Sequence, residues 1–280
     1  MNFSSYYKLI EVHSIMINLS EFLDRFKKIF QLFDLKPESL IKLGSTNKSD
    51  LDKFTVNKCI VSPDFNYDAI SALLEVKADI LLLFHSWTRF EPVDIYYKKL
   101  KYLRDRKICI LQFPHEFFSV SHGVHERIGS ILGLKLSNLF HSKNFESGRI
   151  FEPKHPDFSF VQLLDTVQTK FNLQYLTYVS YSNNLNDLVH KILIYTENPP
   201  SNELIIQCYR QDIDTLLCYD LDSHTARTAY DYNIKICDLS FNWINIILEQ
   251  FVSHDLEMNI PEIKSIFVPS NPPIKIFKFH

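Results

Sequence analysis

The sequence predicts an α/β protein of two related subdomains, each a mixed, mostly parallel sheet flanked by helices. Three observations predict it. Apolar runs end abruptly, as in Ile80-Leu81-Leu82-Leu83-Phe84 before His85 and Ile108-Cys109-Ile110-Leu111 before Pro114. Such runs are the pattern of strands buried on both faces of a parallel sheet. Helical periods separate the runs, which argues for strand–helix–strand units. A loose echo of the same order, an apolar strand ending in a polar residue and then a helix, recurs in the second half.

The elements follow in order. Ser20 to Phe33 places Phe22, Leu23, Phe26, Ile29, Phe30 and Phe33 at helical spacing, with Ser20 as its N-cap. Lys58 to Ser62 reads as a strand, and Asn66 to Val76 as a helix turning Ile70, Leu73 and Leu74 inward. After the strand ending at His85 come a helix over Asp94 to Asp105, a strand over Lys107 to Phe113 and a helix from Val124 to Leu132. Ser142, Asn144, Gly148, Pro153 and Pro156 mark a connector. Beyond it, Phe160 to Phe171 is helical in period, Gln174 to Ser180 extended and His190 to Tyr195 a strand. Leu204 to Cys208 fits a helix or a strand. Asp214 to Tyr219 is an apolar run ending at Asp220, followed by a helix over Leu221 to Tyr230 and a strand at Ile234 to Cys237. An amphipathic helix spans Phe241 to Val252, and Ser265 to Val268 is the last strand. The division is one domain over 1–280, with subdomain one at about 20–137 plus C-terminal elements, a connector at about 138–156 and subdomain two at about 157–280.

Composition narrows the function. With 46% hydrophobic residues, 22% charged and a net charge of −3, the chain has an ordinary globular balance and no basic excess for direct nucleic-acid binding. No apolar run approaches a membrane span, and Met1 to Leu19 lacks a signal-peptide core. Five cysteines, with no C-x-x-C pair, read as buried reduced thiols of an intracellular protein, in the cytoplasm or the nucleus. Only 5 glycines in 280 residues leave no G-x-G-x-x-G or P-loop, which excludes nucleotide sites of those kinds. No G-x-S-x-G marks a nucleophilic serine.

Several segments, taken in order, carry a resemblance: Cys59-Ile60-Val61-Ser62-Pro63-Asp64; Ala78-Asp79 to His85; Ile110 to Leu134 with Gly123-Val124 and Leu132-Gly133-Leu134; Asp220 to His224; and Ile266-Phe267-Val268-Pro269-Ser270. Together they resemble the Nif-three-like family (NGG-one-interacting factor three), some of whose members are labelled GTP cyclohydrolase 1 type 2 homologues. The resemblance spans Ser20 to Phe277. It implies that family's fold, a homo-oligomer built from dimers and often a hexamer, and a pair of divalent metal ions. The family ligands are a His-His pair, an Asp from a His-Thr-Asn-x-Asp segment, and a His-x-x-x-Glu on a late helix. The resemblance places them on Phe84 and His85, Phe118, Phe241 and Asn245, so that His85 alone of the five is retained. Phenylalanine cannot coordinate, and asparagine offers only a neutral carbonyl.

Other candidates remain. His115, Glu116, His122, His125 and Glu126 follow the strand that ends at Phe113. His122 and His125, three apart, are able to face one way, and with His85 and His115 they are candidates for a replacement metal site. The alternative is a polar loop and helix cap. Asp220 and His224 match the family's Gly-Asp-x-x-x-His segment, with Tyr219 in place of the glycine. They read either as an acid/base pair or as a cap, with Asp220 on the helix N-terminus.

The resulting expectation is a degenerate, metal-free family member that acts as a binding, scaffold or regulatory protein with an unknown protein partner. It needs no cofactor, and would take zinc, iron or manganese only at a rebuilt site. The alternatives are a divergent metal-dependent hydrolase and a transcription-linked interaction factor.

Overall fold

The computed structural model describes residues 16–84, 93–103, 106–142, 144–145, 147–182 and 184–270. The first half comprises β1 (Ile17–Asn18), α1 (Leu19–Ile29), α2 (Pro37–Leu40), β2 (Ile41–Leu43), α3 (Lys48–Leu51), β3 (Thr55–Val56), β4 (Lys58–Ser62), α4 (Tyr67–Glu75), β5 (Ile80–Leu83), α5 (Val93–Leu103), β6 (Cys109–Gln112), α6 (Glu116–Ser119) and α7 (Val124–Ile131). The second half adds β7 (Lys135–Leu139), β8 (Arg149–Glu152), α8 (Phe160–Lys170), β9 (Thr177–Val179), β10 (Ile192–Ile194), α9 (Asn202–Arg210), β11 (Thr215–Cys218), α10 (Ser223–Asp231) and β12 (Lys235–Asp238). The chain then returns to the first half through α11 (Asn242–Ile247), a π-helical turn (Leu248–Ser253), α12 (His254–Asn259) and β13 (Lys264–Phe267).

One sheet has the order β13-β4-β5-β6-β2, parallel except for β2 at its edge. A second large sheet has the order β7-β8-β10-β11-β12-β9, parallel only through β10, β11 and β12, and β1 and β3 pair antiparallel as a small third sheet. The strand period of two sends alternate side chains to opposite faces. Ile80 and Leu82 of β5 enter one apolar cluster, while Leu81 and Leu83 pack with α4 residues Ala69, Ile70 and Leu73 in another. In the second sheet, Ile192 and Ile194 enter the same cluster as Ile80, while Leu193 packs with Leu204 and Ile205 of α9. The two sheets therefore share one inner apolar layer, which also holds Phe22 and Phe26 of α1, Ile128 of α7, Phe160 of α8 and Trp243 of α11.

Several expectations shift. The cap of α1 is Asn18, whose side chain accepts from the Glu21 N–H at 2.9 Å, and not Ser20. The helix stops at Ile29 because Gln31 turns left-handed at φ 56°, and Phe33 is left 65% exposed. Leu204 to Cys208 resolves as helix, capped by Ser201. The stretch read as a connector contains β8, which is hydrogen-bonded between β7 and β10. The helix read over Phe241 to Val252 continues through its π turn to Asn259. The five cysteines are buried and unpaired with one another.

One close contact ties the halves together. Gly129 of α7 lies against the Phe151 ring of β8, and an ideal Cβ at Gly129 would fall 2.2 Å from Phe151 Cε1. A helix at this distance from a sheet accepts no side chain. Gly129→Ala is expected to lower the unfolding free energy by roughly 1–3 kcal/mol, the range for overpacking. Chemical denaturation checks it, and an unchanged midpoint would refute the contact.

Candidate functional site

The C-terminal ends of parallel strands are where α/β sheets place ligands. At the end of β5, however, Phe84 is buried among rings. Its centroid lies 5.3 Å from Phe118 at 70° and 5.9 Å from Trp243 at 83°, both edge-on. Phe113 and Phe117 continue the stack, 4.4 Å apart. Phe241, at the N-cap of α11, packs half-buried against the same layer. Asn245 is occupied as well. Its amide donates to Ser270 O at 2.9 Å, and its Oδ1 accepts from the Ser270 N–H at 3.1 Å. His85 lies outside the described residues. Phe84, Phe118, Phe241 and Asn245 thus offer three rings and an engaged neutral amide, a donor set that does not fit a pair of divalent cations.

The three histidines proposed as substitutes go to different partners. His115, mostly exposed, places Nδ1 3.0 Å from Glu197 Oε1. His122 is left-handed at φ 57°, with its N–H donating to Glu126 Oε2 and its carbonyl accepting from Arg127 Nε. His125 is fully buried, and both ring nitrogens are used. Nδ1 lies 2.8 Å from Ser147 O, and Nε2 accepts the Thr196 N–H at 2.9 Å. An acceptor at one nitrogen and a donor at the other fix the neutral Nδ1–H tautomer. Burial pushes the His125 pKa down to about 3; the Ser147 bond opposes this and the Arg149 charge adds to it. No trio of His, Cys, Asp and Glu able to hold a metal occurs among the described residues.

These residues instead form a polar seam between the halves. Glu197 accepts from Ser147 Oγ at 2.6 Å, and Arg149 donates to Ser147 O at 3.0 Å. Arg149 Nε also lies 3.6 Å from Glu126. Burial lowers the Arg149 pKa, against the pull of Glu126. Nearby, Arg127 pairs with Asp255 of α12 at 2.7 Å.

Asp220 and His224 do not form a bonded pair. Asp220 is exposed and left-handed at φ 57°. The cap of α10 is Asp222, not Asp220; Asp222 accepts from the His224 and Thr225 amides, and bonding to Thr225 holds its carboxyl below the usual range. The sequence reading missed Asp238, which ends β12 and accepts the Leu221 and Ser240 amides. Burial raises its pKa against those bonds. Its only sequence signal was a polar residue closing a four-residue strand, too common to single out.

Two mixed sheets around a shared helical layer, with their strand-end site closed by rings, define a two-lobed α/β protein. The Duf34/NIF3 (NGG1p interacting factor 3) family model matches residues 49–273, and the chain belongs to that family. Its fold is that of reduced HcgD from Methanocaldococcus jannaschii, with TM-score 0.74 and 16% identity over 90% of this chain and 98% of that one. A Bacillus cereus protein related to NIF3 matches with TM-score 0.71 and 13% identity over 95% and 99%. Staphylococcus aureus protein SA1388 matches with TM-score 0.73 and 12% identity over 93% and 99%. No curated protein matches the sequence.

The neutral His125 makes stability depend on pH. Its folded pKa lies below the unfolded value, so the unfolded chain binds the extra proton as pH falls, and stability is lost from about pH 6.5 downward. Between pH 7 and pH 5 this group is expected to remove about 2 kcal/mol. His125→Gln should be less stable at pH 7 and show a flatter pH slope by that amount in denaturant titrations. An equal slope in both proteins would refute the assignment.

Proposed function

We propose that this NIF3-family chain acts by binding a protein partner, as a scaffold or regulatory protein, and has relinquished metal-dependent hydrolysis. The edge-on stack of Phe84 on Phe118 and Trp243, where the resemblance sets metal ligands, carries the reading. A metal-activated water needs anionic or imidazole donors and a wet, polar cavity. A ring cluster supplies neither, and burying a dication in it would be strongly unfavourable. Rings at this place add to the core, as aromatic pairs contribute beyond their buried area.

The same reading keeps the homo-oligomer. Edge strand β7 leaves Leu136 and Leu139 42% and 51% exposed, suited to contact between copies. No helix among the described residues is long and apolar enough to cross a membrane.

Elemental analysis of protein purified without chelator tests the reading. The expected metal content is below about a tenth of an ion per chain, with no thermal shift on adding zinc, iron or manganese. Near-stoichiometric metal that is lost in His85→Ala would overturn it.

A further inference from the structure

A groove lies away from the strand ends, between α5 and the edge strand β2. Its volume is about 540 Å³, within the range of small-molecule sites. Leu100, Leu103 and Ile108 floor it, and Leu103 and Ile108 are buried. Tyr97 and Lys101 stand one helical turn apart on α5 and line the groove together with Arg106.

Charge is concentrated here. Among the described residues between positions 98 and 107, Lys98, Lys99, Lys101, Arg106 and Lys107 are basic and none is acidic, in a chain of net charge −3. Lys99 is already engaged: it is buried, donates to Phe65 O and lies over the Phe65 and Tyr67 rings. The side chains of Lys101 and Arg106 have no ion-pair or hydrogen-bond partner among the described residues. Across Gly44, a second cavity of about 180 Å³ adjoins the first. Its acid, Asp50, already accepts from Ser45 Oγ at 2.7 Å. Gly44 holds φ at 128°, a conformation that L side chains rarely adopt.

We infer that this groove binds a small amphipathic anion, a flat aromatic or acyl body bearing a phosphate or carboxylate. The body packs on the partly exposed Leu100 and on Tyr97, and the anion takes Arg106 and Lys101. Guanidinium matches either oxyanion by paired donors, and ammonium adds a point charge. The inference is independent of the fate of the strand-end site.

The probe is 1-anilinonaphthalene-8-sulfonate, titrated by fluorescence into the full chain, with dodecyl phosphate, dodecanol, inorganic phosphate and single-stranded RNA as competitors. Saturation at one site per chain is expected, with displacement by dodecyl phosphate alone. Lys101→Ala with Arg106→Ala should weaken binding about ten-fold, the loss of a charged hydrogen bond. Tyr97→Ala should also weaken it, and Arg227→Ala, on the exposed face of α10, should leave it unchanged. Thermal midpoints near that of the parent confirm that each variant folds. The inference is overturned by absent binding, by equal affinity in the double variant, or by displacement with inorganic phosphate or single-stranded RNA, which would mark a plain basic surface.

Discussion

Helix α7 must fit between two sheets, and most of the structure depends on that one placement. Three residues of the helix meet the constraint in different ways. Gly129 lets its backbone approach the Phe151 ring of β8. His125 spends both ring nitrogens on main-chain groups of the second half, Ser147 O and the Thr196 N–H. Arg127 reaches Asp255 on α12 while its guanidinium lies over the Phe30 and Phe251 rings. A buried imidazole with both nitrogens paired is stable only if neutral, because the imidazolium would face a donor at Nε2 and lose its hydration. The link between the halves is thus geometric, polar and protonation-dependent at once.

That placement also sets what the strand ends can become. The residues after β5 and β6 lean on the layer containing α7 and α11, so the space there is either a polar pocket or part of the core. Carboxylates and imidazoles crowded there without a cation would repel one another or titrate. Phe84, Phe118 and Trp243 remove that problem by making the space part of the apolar layer. Asn245 keeps a polar group at the margin and uses both ends of its amide to hold Ser270, a neutral role that a carboxylate, which only accepts, could not fill.

The sequence was most readable where burial is two-sided. Ile80 to Leu83 and Cys109 to Leu111 are apolar because both of their faces are covered, and they could be placed within a residue or two. Edge strand β7 was invisible because Lys135 to Leu139 is exposed along nearly its whole length and carries no burial pattern. β8 was hidden by the glycine and prolines around it. Helix starts were misplaced by two residues at Ser20 and Asp220, since several consecutive polar residues can each cap and only the backbone angles choose among them. The site was legible in part. The absence of anionic or imidazole donors at Phe84, Phe118, Phe241 and Asn245 follows from residue type alone, whereas the role of His125 depends on Ser147 and Thr196, brought to it only by the fold.

The scarcity of glycine bears on the same question. Left-handed turns after α1, α4, α8, α9 and α10 are made by Gln31, Lys77, Asn172, Asp212 and Asn233 instead of glycine. Each such residue costs up to about 1–2 kcal/mol, least for Asn and Asp. After α7 the same turn is made by Gly133, at φ 69° with open space around it. Gly129 differs, because there a Cβ would meet the Phe151 ring. Space, and not the backbone angle, therefore calls for glycine at Gly129. The contact of α7 with β8 is thus set by close approach, whereas at the strand ends Phe84 and Phe118 fill the space with their own rings.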